Sequence, residues 1–145
     1  MSLFNNKAIK VLPWLYLGSE KEIKNTINEV DFWIDFRDNI DSNIEVNVPD
    51  HVIMIKMPFV DGDLERARNI YPQAKTILDQ VKKSGKKALI NCHMGASRSA
   101  TLALWCMAEE MGYENAYNKM KLINPKFKPD VKFKPILDYI KQITR

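Results

Sequence analysis

The sequence contains only two cysteines and two histidines in 145 residues, which limits the sites it can build. Cys92 and Cys106 are too few for the disulfide framework of a secreted mini-protein, and they belong to one loop-helix unit. We expect both thiols to be reduced. There is no Cys-x-x-Cys pair, no His-x-x-x-His pair and no acidic calcium loop. We therefore predict no metal site.

Long apolar runs are also absent. No segment approaches the roughly 18 apolar residues of a membrane span, and the first residues lack the apolar core of a signal peptide. The expected protein is cytoplasmic, with no membrane partner. A chain of 145 residues that is 46% hydrophobic is long enough to bury its own core, so we expect one domain over residues 1–145, acting as a monomer.

A net charge of +4 raises the question of a nucleic-acid partner. The lysines cluster loosely around residues 82–87 and 126–134, without the interleaved aromatics of an RNA-binding motif. We interpret them as solvated surface and predict no nucleic-acid partner. A mild positive charge still suits an anionic substrate.

Short apolar strands alternate with helical patterns along the chain. Strands are predicted on both sides of Pro13, at residues 32–36, at 52–57 and at 88–90, the last three buried and parallel. Helices are predicted after a Ser19-x-x-Glu22 capping box, around 70–81 with Pro72 in its first turn, at 99–108, before Pro125, and after Asp130. The fold class is α/β, a three-layer sandwich with a mostly parallel central sheet.

Residues 89–99 carry the chemistry. An apolar strand turns directly into an apolar helix, and Cys92 and Arg98 are separated by five residues. This turn directs the free N–H groups of the helix into one concavity that attracts anions. Gly95 allows the loop to curl, and Arg98 adds a planar cation. Both the helix N-terminus and Arg98 favour the thiolate form of Cys92.

The Cys-x5-Arg-Ser pattern, with a glycine at the third loop position, resembles the signature of the cysteine-dependent protein phosphatases, in particular the compact dual-specificity branch. The resemblance implies a protein tyrosine phosphatase-like fold, Cys92 as nucleophile, Arg98 as phosphate clamp and Ser99 as the hydroxyl that assists the second step. The loop residues that bind phosphate would be His93, Met94, Gly95, Ala96, Ser97 and Arg98. No cofactor is implied. One departure is Asn91, where the family usually has histidine.

Hydrolysis through a phosphocysteine needs a proton donor for the leaving oxygen. Asp61 and Asp63 follow a predicted parallel strand, whose carboxyl end should lie on the same rim as Cys92. The strand-Pro-x-x-Asp arrangement resembles the acid loop of the family and favours Asp61, with Asp63 in reserve. The alternative is that Asp61-Gly62-Asp63 is merely a turn.

The resemblance implies a phosphoprotein phosphatase that acts on phosphotyrosine, and on phosphoserine or phosphothreonine if the pocket is shallow. The loop contains no lysine, which disfavours an inositol phosphate substrate, and Ser97-Arg98-Ser99 differs from the Asn-Arg-Thr of related RNA 5′-phosphatases. Asn91 motivates one rival hypothesis, a pseudophosphatase that binds phosphate or phosphopeptides with little turnover.

Overall fold

The computed structural model describes residues 6–41 and 44–144 and confirms the α/β class. Its centre is a mixed five-stranded sheet in the order β1-β2-β5-β3-β4. The strands are β1 (Ile9–Leu12), β2 (Leu15–Gly18), β3 (Phe32–Asp35), β4 (Ile53–Lys56) and β5 (Ala88–Asn91). The first pair is antiparallel around the turn at Pro13, and all other neighbours are parallel.

The helices cover both faces of the sheet, as a three-layer sandwich requires. They are α1 (Ile23–Thr26), α2 (Leu64–Lys83), α3 (Arg98–Met111), α4 (Tyr113–Ile123) and α5 (Lys134–Ile143). The larger core packs α2–α5 on the face that carries Ile34 and Ile90. The smaller core packs the segment around α1 on the opposite face, against Trp33 and Leu89. Side chains therefore alternate between two cores along the central strands.

Two predictions about these elements are wrong. The β4 strand is not buried: Ile53 is 55% exposed and Met54 39%, because β4 is an edge strand with only β3 as a neighbour. Pro72 does not lie in the first turn of α2. It lies in the middle of the helix, which begins eight residues earlier because Asp63 caps it. The flanking turns of a 20-residue helix compensate for the single N–H that proline lacks.

The carboxyl ends of β2, β3 and β5 meet at one edge, where Gly18, Asp35 and Asn91 lie in register. The segments that leave this edge include the β5–α3 loop and the loop between β4 and α2. Among the described residues, no helix is long and apolar enough to cross a membrane.

Candidate active site

The loop from β5 to α3 is shaped as an anion-binding turn. Gly95 has φ +73°, and a Cβ atom there would lie 3.0 Å from the backbone of Gly18 and Ser19, so only glycine fits. In the described part of the chain, nothing accepts a hydrogen bond from the backbone N–H groups of residues 93–98. Several free amides in one short turn can hold the oxygens of a phosphate group.

Cys92 lies at the base of this loop and is 2% exposed. Its Sγ lies 3.1 Å from Oγ of Ser99, which is fully buried in the first turn of α3. The structure therefore brings together the thiol and the hydroxyl that the resemblance to the cysteine-dependent phosphatases implies as partners. In this arrangement the serine hydroxyl can donate a hydrogen bond to a thiolate and stabilise its charge.

Arg98 begins α3 and is almost fully buried. Its Nη1 donates to the carbonyl of Phe59 at 2.7 Å, to that of Phe36 at 3.3 Å and to Oδ2 of Asp41 at 2.8 Å, while Nη2 donates to Oδ1 of Asp41 at 3.1 Å. Burial lowers the pKa of Arg98, but the hydrogen bonds to Asp41 and the negative charge of Cys92 raise it above its ordinary value. Sequence reasoning did not find Asp41, because nothing in its spacing points to Arg98.

The two candidate acids in the loop after β4 make different contacts. The Asp63 carboxylate accepts a hydrogen bond from the backbone N–H of Arg66 at 3.1 Å and caps α2. Asp61 is exposed at the bend of the turn that the Asp63 N–H closes on the Val60 carbonyl, and no described residue hydrogen-bonds to its carboxylate. The turn interpretation and the acid-loop interpretation are therefore compatible, and of these two aspartates Asp61 is the one whose carboxylate has no hydrogen-bond partner among the described residues.

An aromatic cluster lies beneath the acid loop. Phe59 packs edge-on against Phe36 and Tyr71, with ring centroids 5.6 Å apart in each pair. The Tyr71 hydroxyl donates to the carbonyl of Arg98 at 2.6 Å. Burial raises the pKa of Tyr71 well above its ordinary value, and the charges of Cys92 and Asp61 raise it further. Tyr71 thus lies within electrostatic reach of both the thiol and the candidate acid.

A segment that sequence reasoning missed holds the other side of the loop. Asn124 donates from Nδ2 to the Gly95 carbonyl at 3.0 Å, the Lys128 N–H donates to Ala96 at 2.9 Å, and the Asp130 N–H donates to Oγ of Ser97 at 2.8 Å. These contacts occupy two loop carbonyls and the Ser97 hydroxyl, and they leave the loop amides without a partner in the described part of the chain. From the sequence, Pro125 predicted only the end of the preceding helix.

The remaining predicted loop residues lie at the rim. His93 is half-buried, with Nδ1 3.3 Å from Oε1 of Glu20, and Met94 is 55% exposed. Cys106 lies away from this rim, buried within α3, where burial raises its pKa to about 12. The structure thus brings together the residues predicted from the Cys-x5-Arg spacing and leaves Cys106 as a core side chain.

Comparison with known proteins settles the family. The sequence model of the dual specificity phosphatase catalytic domain matches residues 15–142. The chain belongs to the dual-specificity phosphatase family.

Among its relatives, tyrosine-protein phosphatase vhp-1 of Caenorhabditis elegans is 27% identical over 127 residues, which covers 85% of this chain and 19% of that protein. Human dual specificity protein phosphatase 8 is 26% identical over 133 residues, 86% of this chain and 20% of that protein. The chain thus spans about a fifth of the length of these phosphatases.

Solved structures show the same fold. The human tyrosine phosphatase-like serine/threonine/tyrosine-interacting protein superposes with a TM-score of 0.80 at 23% identity, covering 95% of this chain and 97% of that one. A mouse putative dual specificity phosphatase complexed with zinc tungstate gives 0.75 at 18% identity, covering 96% and 88%. At these identities the likeness establishes the dual-specificity phosphatase fold and no individual function.

The family departure at Asn91 has a structural explanation. This fully buried carboxamide accepts a hydrogen bond from Trp33 Nε1 at 2.5 Å and donates from Nδ2 to Asp35 Oδ1 at 3.2 Å and to the Cys92 carbonyl at 3.3 Å. Asp35 is in turn paired with the buried guanidinium of Arg37, at 3.0 Å between Oδ2 and Nη2. Asn91 therefore connects the base of the β5–α3 loop to a buried ion pair at the end of β3.

Proposed function

We propose that this dual-specificity phosphatase domain, a single catalytic unit over residues 1–145, hydrolyses phosphoprotein monoesters through a phosphocysteine on Cys92. The preferred substrate is phosphotyrosine, with phosphoserine and phosphothreonine as further substrates if the cradle is shallow. The observation that carries the proposal is the Cys92–Ser99 contact of 3.1 Å at the base of a loop with free amides and a buried arginine. A nucleophile, an anion cradle and a thiolate-stabilising hydroxyl are the parts that this reaction needs.

The proposed reaction has two steps. The phosphate docks on the amides of residues 93–98 and on Arg98, and the Cys92 thiolate attacks phosphorus while Asp61 protonates the departing oxygen. The S–P bond forms as the O–P bond breaks. Asp61, now ionised, then takes a proton from water as the water attacks phosphorus, and inorganic phosphate leaves. Ser99 stabilises the departing Cys92 thiolate. The family supports this chemistry, and no cofactor is required.

The exposure of Asp61 supports its role, because an acid that serves both a bulky leaving group and water must reach solvent. Asp63 is the weaker candidate for this role, because its carboxylate accepts the Arg66 N–H and caps α2. The depth of the cradle sets which phosphorylated side chains enter. The exposed Met94 at its rim is in a position to contact the residues that flank the phosphate.

The experiment is a comparison of the wild-type chain with Cys92→Ser on para-nitrophenyl phosphate and on matched phosphotyrosine and phosphoserine peptides. Wild type is expected to release phosphate from all classes it accepts, with phosphotyrosine fastest, and Cys92→Ser is expected to release none. The serine variant keeps the shape of the site, so it should still bind the peptides. Equal turnover by both proteins would contradict a cysteine mechanism.

A second candidate is a phosphopeptide-binding pseudophosphatase. The observation that favours it is Asn91 at the position where the family usually has histidine, together with the fold shared with a phosphatase-like interacting protein. This function predicts tight binding of phosphopeptides by the wild-type chain and no phosphate release. The same assay therefore decides between the two candidates.

A further inference from the structure

The Arg98–Asp41 pair divides the arginine side chain into two parts with different partners. A guanidinium has five N–H donors. The two Nη1 hydrogens and one Nη2 hydrogen are taken by Asp41 and the carbonyls of Phe36 and Phe59. Nε is buried, and in the described part of the chain no atom accepts its hydrogen. The remaining donors, Nε and the second Nη2 hydrogen, form one edge of the plane, which matches two oxygens of a phosphate.

Asp41 is itself fixed in place by a local turn. Its N–H donates to the carbonyl of Asp38 at 3.0 Å, and its Oδ2 accepts from the Asp38 N–H at 2.8 Å. The Asp41 side chain is 14% exposed and that of Arg98 is 5% exposed, so solvent screens the pair weakly. Burial raises the pKa of Asp41, but the hydrogen bonds from Arg98 and Asp38 lower it below its ordinary value, so the carboxylate is ionised at neutral pH.

From this geometry we infer that Asp41 is a positioning residue: it holds the outer edge of the Arg98 guanidinium so that the Nε edge is presented to the phosphoryl group. The inference deepens the proposed function and depends on it. The long arginine side chain has many rotamers, but its guanidinium is planar and rigid. A contact that fixes one edge of the guanidinium therefore also fixes the direction of the other edge. Asp41 does not touch the phosphate in this account and acts only through Arg98.

Charge alone and the positioning of Arg98 predict opposite effects on oxyanion binding when the Asp41 carboxylate is removed. Its carboxylate is a negative charge beside an anion site, so Asp41→Asn should strengthen oxyanion binding if charge alone matters. If Asp41 orients Arg98, the same substitution should weaken binding. The sign of the change therefore separates positioning from charge. Asp38→Asn is the matched control, because it removes a negative charge from the same turn without a contact to Arg98.

The first experiment measures the affinity of tungstate, a phosphate-shaped oxyanion, by calorimetry in the Cys92→Ser background, where no chemistry is needed. We expect Asp41→Asn to weaken tungstate binding about 10-fold or more, since outer partners of binding groups typically contribute this much. Asp38→Asn should leave binding unchanged or slightly stronger. Unchanged or stronger binding by a folded Asp41→Asn protein would overturn the inference. Thermal unfolding checks that the variants are folded.

The second experiment is a double-mutant cycle on kcat/KM for para-nitrophenyl phosphate with Asp41→Asn, Arg98→Lys and the double variant. If Asp41 acts through Arg98, the double variant should be no slower than Arg98→Lys alone. Multiplied losses would overturn the inference. If the wild-type chain hydrolyses nothing, the proposed function fails, whereas the tungstate result still reports on Asp41. The two failures are therefore distinguishable.

Discussion

Asn91 accepts the indole N–H of Trp33 at 2.5 Å and donates to the carboxylate of Asp35 at 3.2 Å, so one carboxamide satisfies two buried groups on β3. Its Nδ2 also donates a hydrogen bond to the Cys92 carbonyl, so Asn91 contacts the base of the loop between β5 and α3. An asparagine at this position is therefore a paired structural residue. Because of these hydrogen bonds, we expect the loop between β5 and α3 to be held in place although asparagine replaces the usual histidine.

The first prediction concerns the exchange of this residue. A neutral histidine has one donor and one acceptor, as the contacts to Asp35 and Trp33 require, so Asn91→His should change kcat/KM by less than about 10-fold. Asn91→Leu keeps the size but removes the acceptor of the buried Trp33 indole N–H, while Asp35 keeps its pairing with Arg37, and it should lower the free energy of unfolding by about 1–3 kcal/mol. Urea denaturation and para-nitrophenyl phosphate kinetics measure the two effects. If Asn91→Leu has the same free energy of unfolding as the wild-type chain, the hydrogen bonds of Asn91 do not stabilise the protein.

The second prediction separates Asp61 from Asp63. Asp61→Asn removes the proposed proton donor, so it should slow alkyl or tyrosyl phosphates much more than an activated aryl phosphate, whose leaving group needs no proton. Asp63→Ala removes the cap of α2 and should cost about 1 kcal/mol of stability without this dependence on the leaving group. Steady-state kinetics on the substrate pair and thermal unfolding check both. Equal losses on both substrates for Asp61→Asn would rule out its role as acid.

The third prediction tests the close approach at Gly95. Gly95 and Gly85 both have positive φ, +73° and +68°, but only Gly95 lies against other backbone, while a Cβ atom at Gly85 would meet nothing within 4 Å. Gly85→Ala should therefore cost roughly 1–2 kcal/mol of backbone strain and keep its activity. Gly95→Ala should cost more and lose oxyanion binding, because the loop must move away from Gly18. Similar tungstate affinity in the two variants would mean that the loop tolerates this shift.

The fourth prediction concerns the two thiols. Burial raises the pKa of Cys106 to about 12, so its thiol is protonated at neutral pH. Because alkylation requires the thiolate, iodoacetamide should modify Cys92 and leave Cys106 intact in the folded protein. In guanidinium chloride both thiols should react, since burial is lost. Peptide mass spectrometry locates the label. Labelling of folded Cys106 as fast as Cys92 would contradict its assignment to the core.

The sequence predicted those parts of the site that are close together in the chain. The strand-loop-helix unit around Cys92 and the cap at Ser19 follow from local patterns, and the alternation of strands and helices predicted the layered sheet. Contacts made between distant segments had no such signal. Asp41 reaches Arg98 across 57 positions, and the Asn124–Asp130 segment reaches the loop only through the packing of α4. The exposure of β4 also follows from its position at the edge of the sheet, and the spacing of residues along the chain does not predict the order of the strands.

The extent of α2 was misjudged for a local reason. Proline usually marks a helix start, and Pro72 drew the predicted boundary toward itself. Asp63, the reserve candidate for the acid, caps the helix and marks where it begins.

The central claim is that Cys92 forms a phosphocysteine that Ser99 helps to resolve. The most direct measurement is stopped-flow release of nitrophenolate by Ser99→Ala, in which loss of the hydroxyl 3.1 Å from Sγ should slow the second step more than the first. We predict a rapid burst of about one nitrophenolate per active site, followed by slower turnover, with no burst for Cys92→Ser. A linear time course for Ser99→Ala at an unchanged rate, or a burst from Cys92→Ser, would contradict the account.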